Sequence, residues 1–256
     1  MLVRMSLIQK TRREDTLVKR AATGIPGLDE IIQGGLPRGS ITLLSGPPGG
    51  GKTIACFQFL YEGMQNNERC LFLTVDKKIE GLLTQAKALG IDFQPGIESG
   101  TIKFVYLNIN KKLIYESMIN EILSSNYDRI VLDSISPLSE MPIYINNLET
   151  SDNTNAGNFE DYPNDQDIPT RRLHLHYIMN ALETVNCTSV VTSELPVGST
   201  RLSRDGLSEF LAYGVIVLGL DPTMDRRKIS VLKMRNTKHT LKPQDMAISD
   251  VGLRII

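Results

Sequence analysis

The chain is short of cysteine, of net charge and of long apolar runs. Cys56, Cys70 and Cys187 are the only cysteines in 256 residues. They are odd in number, far apart and set in apolar segments, which reads as buried reduced thiols and points away from a disulfide framework or a metal site. The formal net charge is −1, so no overall basic field advertises nucleic acid or an anionic membrane. The longest apolar run, around residues 215–220, is far too short to cross a bilayer. The first residues lead into a charged stretch with neither a long apolar segment nor a small-residue cleavage site, and the expected location is cytoplasmic. No internal repeat of the domain is visible. The length suits one large α/β domain or two small ones.

What is present is a complete phosphate-binding loop. Gly46-Pro47-Pro48-Gly49-Gly50-Gly51-Lys52-Thr53 satisfies the G-x-x-x-x-G-K-[ST] pattern. Residues 41–45 read as a buried β-branched strand, and residues 53–61 as a helix with Ile54, Phe57 and Leu60 on its apolar side. Strand, glycine loop and helix aim backbone N–H groups at an anion, backed by the positive end of the helix dipole. The candidate nucleotide-binding set here is Gly46, Gly49, Gly50, Gly51, Lys52, Thr53 and Ile54. Lys52 would reach the β- and γ-phosphates, and the Thr53 hydroxyl would ligate Mg²⁺.

Residues 1–20 form a basic arm in which Arg4, Lys10, Arg12, Arg13, Lys19 and Arg20 outnumber Glu14 and Asp15. It reads as a solvated tail or first helix. Pro and Gly punctuate residues 23–40, with a short helix expected over 28–32. Strands are then expected over 70–75, 102–107, 130–132 and 189–192, and helices over 79–89, 113–123 and 171–185. Such alternation implies parallel strands with crossover helices on both faces. Residues 215–218, 229–234 and 247–256 read as strands with no helix between them, so the sheet is expected to end antiparallel. Residues 139–170 carry seven acids and no Lys or Arg. They read as an acidic mobile insertion, about 144–168, within a domain over 21–256.

A phosphate-loop site needs a second carboxylate for the metal. The segment Tyr127-Asp128-Arg129-Ile130-Val131-Leu132 reads as a strand whose apolar end, residues 130–132, leads into Asp133, which is expected on the strand beside the phosphate loop, in the shell of the metal. Asp76, at the end of the 71–75 strand, is placed to orient or deprotonate water, and it equally suits a cap for the helix that follows. Lys233 and Arg235 share one face of a strand. They suit neutralisation of a γ-phosphate, or an edge strand protected by lysine. His174 and His176, two apart on a helix, face different ways and make a poor metal pair.

Several segments together resemble the KaiC family of RecA-like ATPases, in its single-domain KaiC-like and RadA-paralogue forms. They are Thr23-Gly24-Ile25-Pro26-Gly27-Leu28-Asp29, Gly35-Leu36-Pro37-Arg38-Gly39-Ser40, the phosphate loop, Leu132-Asp133-Ser134, Thr192-Ser193-Glu194, Glu209-Phe210-Leu211, and Lys233-Met234-Arg235 with His239. The resemblance covers about residues 20–256 and implies a RecA-like α/β fold: a mostly parallel central sheet, helices on both faces and C-terminal antiparallel strands. It implies ATP bound between subunits of a homo-oligomeric ring, commonly a hexamer. One subunit would supply the loop, Lys52, Thr53 and Asp133, and its neighbour Lys233, Met234, Arg235, Thr237 and His239. Asp76 and Glu194 are the candidate catalytic acids.

Departures from the family pattern bear on turnover. Asp76-Lys77 stands where two adjacent Glu are usual, Tyr213 where Asp is common, and Leu195 where some members have Arg. A misplacement of about 1 Å can cost on the order of 10²-fold in rate, so ATP binding with slow hydrolysis is expected. The leading function is an ATP-binding ring that acts as a weak ATPase or switch on protein partners. The alternatives are a DNA-binding accessory ATPase of recombination or repair, and a kinase acting on itself or a partner, which hydroxyls near the site such as Ser134, Ser136 and Thr192 do not by themselves establish. Seven acids where recombinases place a DNA-contacting loop would repel phosphates.

Overall fold

The computed structural model describes residues 18–110, 113–140 and 170–256. The basic arm up to residue 17 and the acidic insertion lie outside the described residues. Eleven strands are described: β1 (Arg20–Ala21), β2 (Leu36–Pro37), β3 (Ile41–Gly46), β4 (Cys70–Thr74), β5 (Ile102–Tyr106), β6 (Arg129–Asp133), β7 (Thr188–Glu194), β8 (Gly214–Asp221), β9 (Arg226–Met234), β10 (Gln244–Ser249) and β11 (Gly252–Ile255). The described helices are α1 (Leu28–Ile31), α2 (Lys52–Gln65), α3 (Ile79–Ala88), α4 (Gln94–Ser99), α5 (Ile114–Leu123), α6 (Ser136–Glu140), α7 (Thr170–Thr184) and α8 (Ser208–Leu211).

Nine strands form one sheet in the order β11-β10-β9-β8-β3-β7-β6-β4-β5, and β1 pairs with β2 in a separate ribbon. The six strands from β8 to β5 are parallel. β9, β10 and β11 are antiparallel, as expected for the tail. Every residue of β3, β4 and β6 is buried, as for parallel strands covered on both faces. One apolar layer packs Phe57, Leu60, Phe72, Phe93 and Val131 around α2. The other packs Leu43, Leu73, Met118, Ile130 and Leu175 beneath α5 and α7.

Two expectations are corrected. Residues 247–256 are not one strand but a hairpin that turns at Asp250-Val251, pairing Ser249 with Gly252. Gly252 has φ +101°, and a Cβ on it would lie 2.7 Å from the Gln58 amide carbon. That close approach lets the Gln58 side chain act as a strand edge toward Leu253, donating to its carbonyl at 2.9 Å and accepting from its N–H at 2.8 Å. Secondly, Asp133 is not on the strand beside the phosphate loop. β3 pairs with β7 and β8, and β7 separates it from β6.

At the opposite end of β6, Arg129 is 1% exposed. Its guanidinium pairs with Glu68, donates to the Ala22 carbonyl at 2.6 Å and to the Phe59 carbonyl at 2.8 Å, and lies 4.7 Å from the Phe59 ring centroid. It ties α2, the entry to β4 and the β1 segment together. Replacing it leaves two carbonyls without that charged donor, and leaves the nearly buried Glu68 carboxylate with Arg38 as its ion-pair partner. Arg129→Met is therefore expected to cost about 3 kcal/mol or more in urea-induced unfolding. A loss below about 1 kcal/mol, the range of a surface ion pair, would contradict a structural role.

Candidate nucleotide site

The parallel register brings four strand ends to one edge of the sheet. Gly46 pairs with Glu194, Leu44 with Thr192, and Thr74 with Asp133. The loops that follow therefore converge on a crevice beyond the carboxyl ends, where open α/β sheets bind ligands. β6 ends at a cis Asp133–Ser134 peptide.

The phosphate loop leaves β3 at Gly46, which passes so close to β8 that a Cβ would meet the Leu218 carbonyl oxygen at 2.7 Å. Gly51 has φ +102° and is the N-cap of α2, where no side chain caps the helix. A side chain at Gly51 would be strained, and a side-chain cap would compete for the N–H groups an anion needs. Lys52 is 9% exposed. Its ammonium donates to the carbonyls of Gly46 at 2.7 Å and Pro47 at 3.1 Å. Burial lowers its pKa, against the nearby carboxylates of Glu194 and Asp133.

Asp133 is the hub. It is buried, and it accepts from the Thr53 hydroxyl at 2.9 Å and from the Thr192 hydroxyl at 2.5 Å. The Thr53 hydroxyl in turn accepts from the Lys77 ammonium at 2.9 Å, and that ammonium is 3.9 Å from Asp133 Oδ2. These donors fit a hard divalent cation held largely by phosphate oxygens and water, with Thr53 and Asp133 lending oxygen. A cationic nitrogen resting on the Thr53 oxygen marks the spot as electronegative. Among the described residues no cluster of three or more His, Cys, Asp or Glu forms a dedicated metal cage.

Asp76 sits just beyond β4 and accepts from the Ser134 hydroxyl at 3.3 Å. Glu194 ends β7, its N–H held by the Ser136 hydroxyl at 2.9 Å. The structure thus brings together the loop, Lys52, Thr53, Asp76, Asp133 and Glu194. Ile54 and Met234 turn their side chains into the core, leaving only backbone groups for a ligand. Sequence reasoning passed over Arg227, whose Nε reaches the Gly49 carbonyl at 3.4 Å, and did not give Lys77 a place in the site.

The second cationic group is elsewhere. Lys233 pairs with Val215 and Met234 with Gly214, level with Leu43 and Thr42 of β3. Arg235, Thr237 and His239 follow, at the amino end of β3 and away from the chain's own phosphate loop. The Lys233 ammonium donates to the carbonyls of Ala212 at 2.6 Å and Glu209 at 2.9 Å. Arg235 lies 5.8 Å from the Tyr213 ring centroid, and the Thr237 hydroxyl accepts from Arg20 at 2.6 Å.

Burial, and next the Glu194 carboxylate, push the Asp76 carboxyl above its ordinary range. Asp133 adds to this, while the Ser134 hydrogen bond and Lys77 oppose it. A raised folded-state pKa means that folding disfavours the ionised form. Asp76 then costs stability above its folded pKa, and costs nothing below the ordinary carboxylate pKa, where it is protonated folded or unfolded. Asp76→Asn is expected to raise Tm near pH 7.5 and to leave it unchanged at about pH 3. Thermal unfolding at both pH values checks this; an equal shift at both would refute it.

Comparison with known proteins agrees with the fold. The family model described as ATPase: KaiC matches residues 21–143 and 161–256. A UPF0273 protein of Methanocaldococcus jannaschii is 30% identical over 246 residues, covering 92% of this chain and 96% of that protein. The circadian clock oscillator protein KaiC of a Picosynechococcus species is 29% identical over 252 residues, covering 93% of this chain and 44% of its own length. The crystal structure of a KaiC-like protein from Pyrococcus horikoshii superposes with a TM-score of 0.76 at 29% identity, covering 93% of this chain and 99% of that one. With its RecA-like sheet and phosphate loop, the chain belongs to the KaiC family of ATPases.

Proposed function

We propose that this chain binds Mg²⁺-ATP at residues 46–54, shares it between subunits of a homo-oligomeric ring, and hydrolyses it slowly as a switch on protein partners. The observation that carries this reading is the split of the site across the sheet. The phosphate loop, Asp133, Asp76 and Glu194 lie at the carboxyl edge, while Lys233, Arg235, Thr237 and His239 lie toward the opposite end. A set of cations that cannot reach the chain's own phosphates suits completion of a neighbour's site. Membership of the KaiC family supports nucleotide binding and assembly in general terms.

In this reading Lys52 exchanges the Gly46 and Pro47 carbonyls for phosphate oxygens. Thr53 and Asp133 hold the Mg²⁺, which supplies charge neutralisation at the phosphates when bound. Asp76 and Glu194 are the acids placed to orient or accept a proton from water. Arg235 and Lys233 of the adjacent subunit would supply positive charge from the far side.

A ligand bound between subunits stabilises the assembly by mass action. Light scattering after size exclusion is expected to show a larger particle with ATP and Mg²⁺ than without, and no such change for Lys52→Ala. No response of the wild type to ATP would overturn the shared-site reading. Phosphate release by the wild type is expected to be slow. Asp76→Glu, which restores one methylene of reach, is expected to speed it by about tenfold or more. An unchanged or lower rate would mean that Asp76 does not limit turnover.

A further inference from the structure

Lys77 follows β4 at a turn fixed by its own N–H, which donates to the Thr74 hydroxyl at 3.3 Å. The side chain is about half exposed, yet its ammonium does not point into solvent alone. It donates to the Thr53 hydroxyl at 2.9 Å and lies 3.9 Å from Asp133 Oδ2. Thr53 gives its only hydroxyl proton to Asp133, so the oxygen can serve a cation only as an acceptor. That cation is already part of the chain.

We propose that Lys77 is a tethered counter-ion at the metal end of the nucleotide site: it stands in for a divalent cation on Thr53 and Asp133, and competes with one. This rests on the nucleotide-binding reading above. Around the metal end, three carboxylates (Asp76, Asp133 and Glu194) and two ammonium groups (Lys52 and Lys77) influence one another, so 2 − 3 gives these five groups a formal charge of −1, with Arg227 a further cation at Gly49 of the loop. Without Lys77 it is −2, and phosphates would enter a more repulsive field. With Lys77 in place, a divalent ion draws on the same hydroxyl oxygen and faces the same carboxylate as an ammonium that repels it. Nucleotide affinity is then buffered against loss of metal, and metal affinity is held down.

The coupling is reciprocal and can be read from either ligand. Titration calorimetry with the non-hydrolysable β,γ-imido analogue of ATP, in EDTA and in Mg²⁺, compares wild type with Lys77→Met and Lys77→Arg. The wild-type Kd is expected to differ by no more than about threefold between the two conditions. Lys77→Met is expected to bind about tenfold or more weakly in EDTA and to recover in Mg²⁺, with a lower midpoint for Mg²⁺. Lys77→Arg keeps the charge and should follow the wild type. Lys77 fills no core space, and unfolding midpoints confirm that both variants fold. If Lys77→Met depends on Mg²⁺ no more than the wild type does, the inference is overturned while the nucleotide site stands. If the wild type binds the analogue in neither condition, the nucleotide reading falls and takes this inference with it.

Discussion

The site depends on keeping one carboxylate buried and hydrogen-bonded. Asp133 has left bulk water at the end of a strand buried along its whole length. An ionised carboxylate is tolerated there only with donors that replace its hydration. Two hydroxyls do so, from Thr53 at the start of α2 and Thr192 in β7. The bonds therefore fix distances between three elements that are far apart in sequence. They bring the first turn of the phosphate-loop helix to the end of β6 although β7 lies between β6 and β3. Thr192, a hydroxyl the sequence places near the site without a role, is a donor that holds this carboxylate.

Strand direction then decides which residues can meet. Parallel strands send their carboxyl ends to one edge, so the phosphate loop, Asp76, Asp133 and Glu194 gather without any long excursion of the chain. The switch to antiparallel pairing at β9 has two consequences. It returns Arg227 to the phosphate-loop edge, where it touches Gly49. It also carries residues 233–239 to the other end. A chain built this way presents an anion-binding crevice at one end of its sheet and a cationic strand end toward the other. That polarity suits head-to-tail contact, in which each copy offers what its neighbour lacks.

The parts of this arrangement differ in how plainly the sequence displays them. The phosphate loop is legible because its chemistry is local: glycines, a lysine and a threonine at fixed offsets specify backbone directions within eight residues. Asp133 is legible as a strand-terminal acid, but its place in the sheet is not, since strand order is settled by pairings between distant segments. The hairpin over 244–255 was hidden because Asp250-Val251-Gly252 is weak punctuation inside an apolar stretch. Its signal is tertiary, the approach of Gly252 to Gln58. Helices α4, α6 and α8, at six, five and four residues, are too short to display a period. Lys77 is the instructive case. From the sequence it is a missing acid, and only the fold turns it into a cation aimed at Thr53.

Both lysines of the crevice already rest on oxygen atoms of the site. Lys52 holds the Gly46 and Pro47 carbonyls, and Lys77 holds the Thr53 hydroxyl. A buried ammonium without partners would be costly, and burial already lowers the pKa of Lys52. The two carbonyls and the nearby carboxylates of Glu194 and Asp133 offset part of that cost. In the proposed binding mode, phosphate entry would exchange neutral acceptors for charged ones, adding ion-pair attraction to bonds whose donor is already charged. The two lysines differ in what they give up. Lys52 releases carbonyls that no other ligand needs. Lys77 would release the Thr53 oxygen, which the proposed metal also uses. In the proposed binding mode the first exchange would favour the nucleotide alone, and the second would set the terms on which nucleotide and metal arrive together.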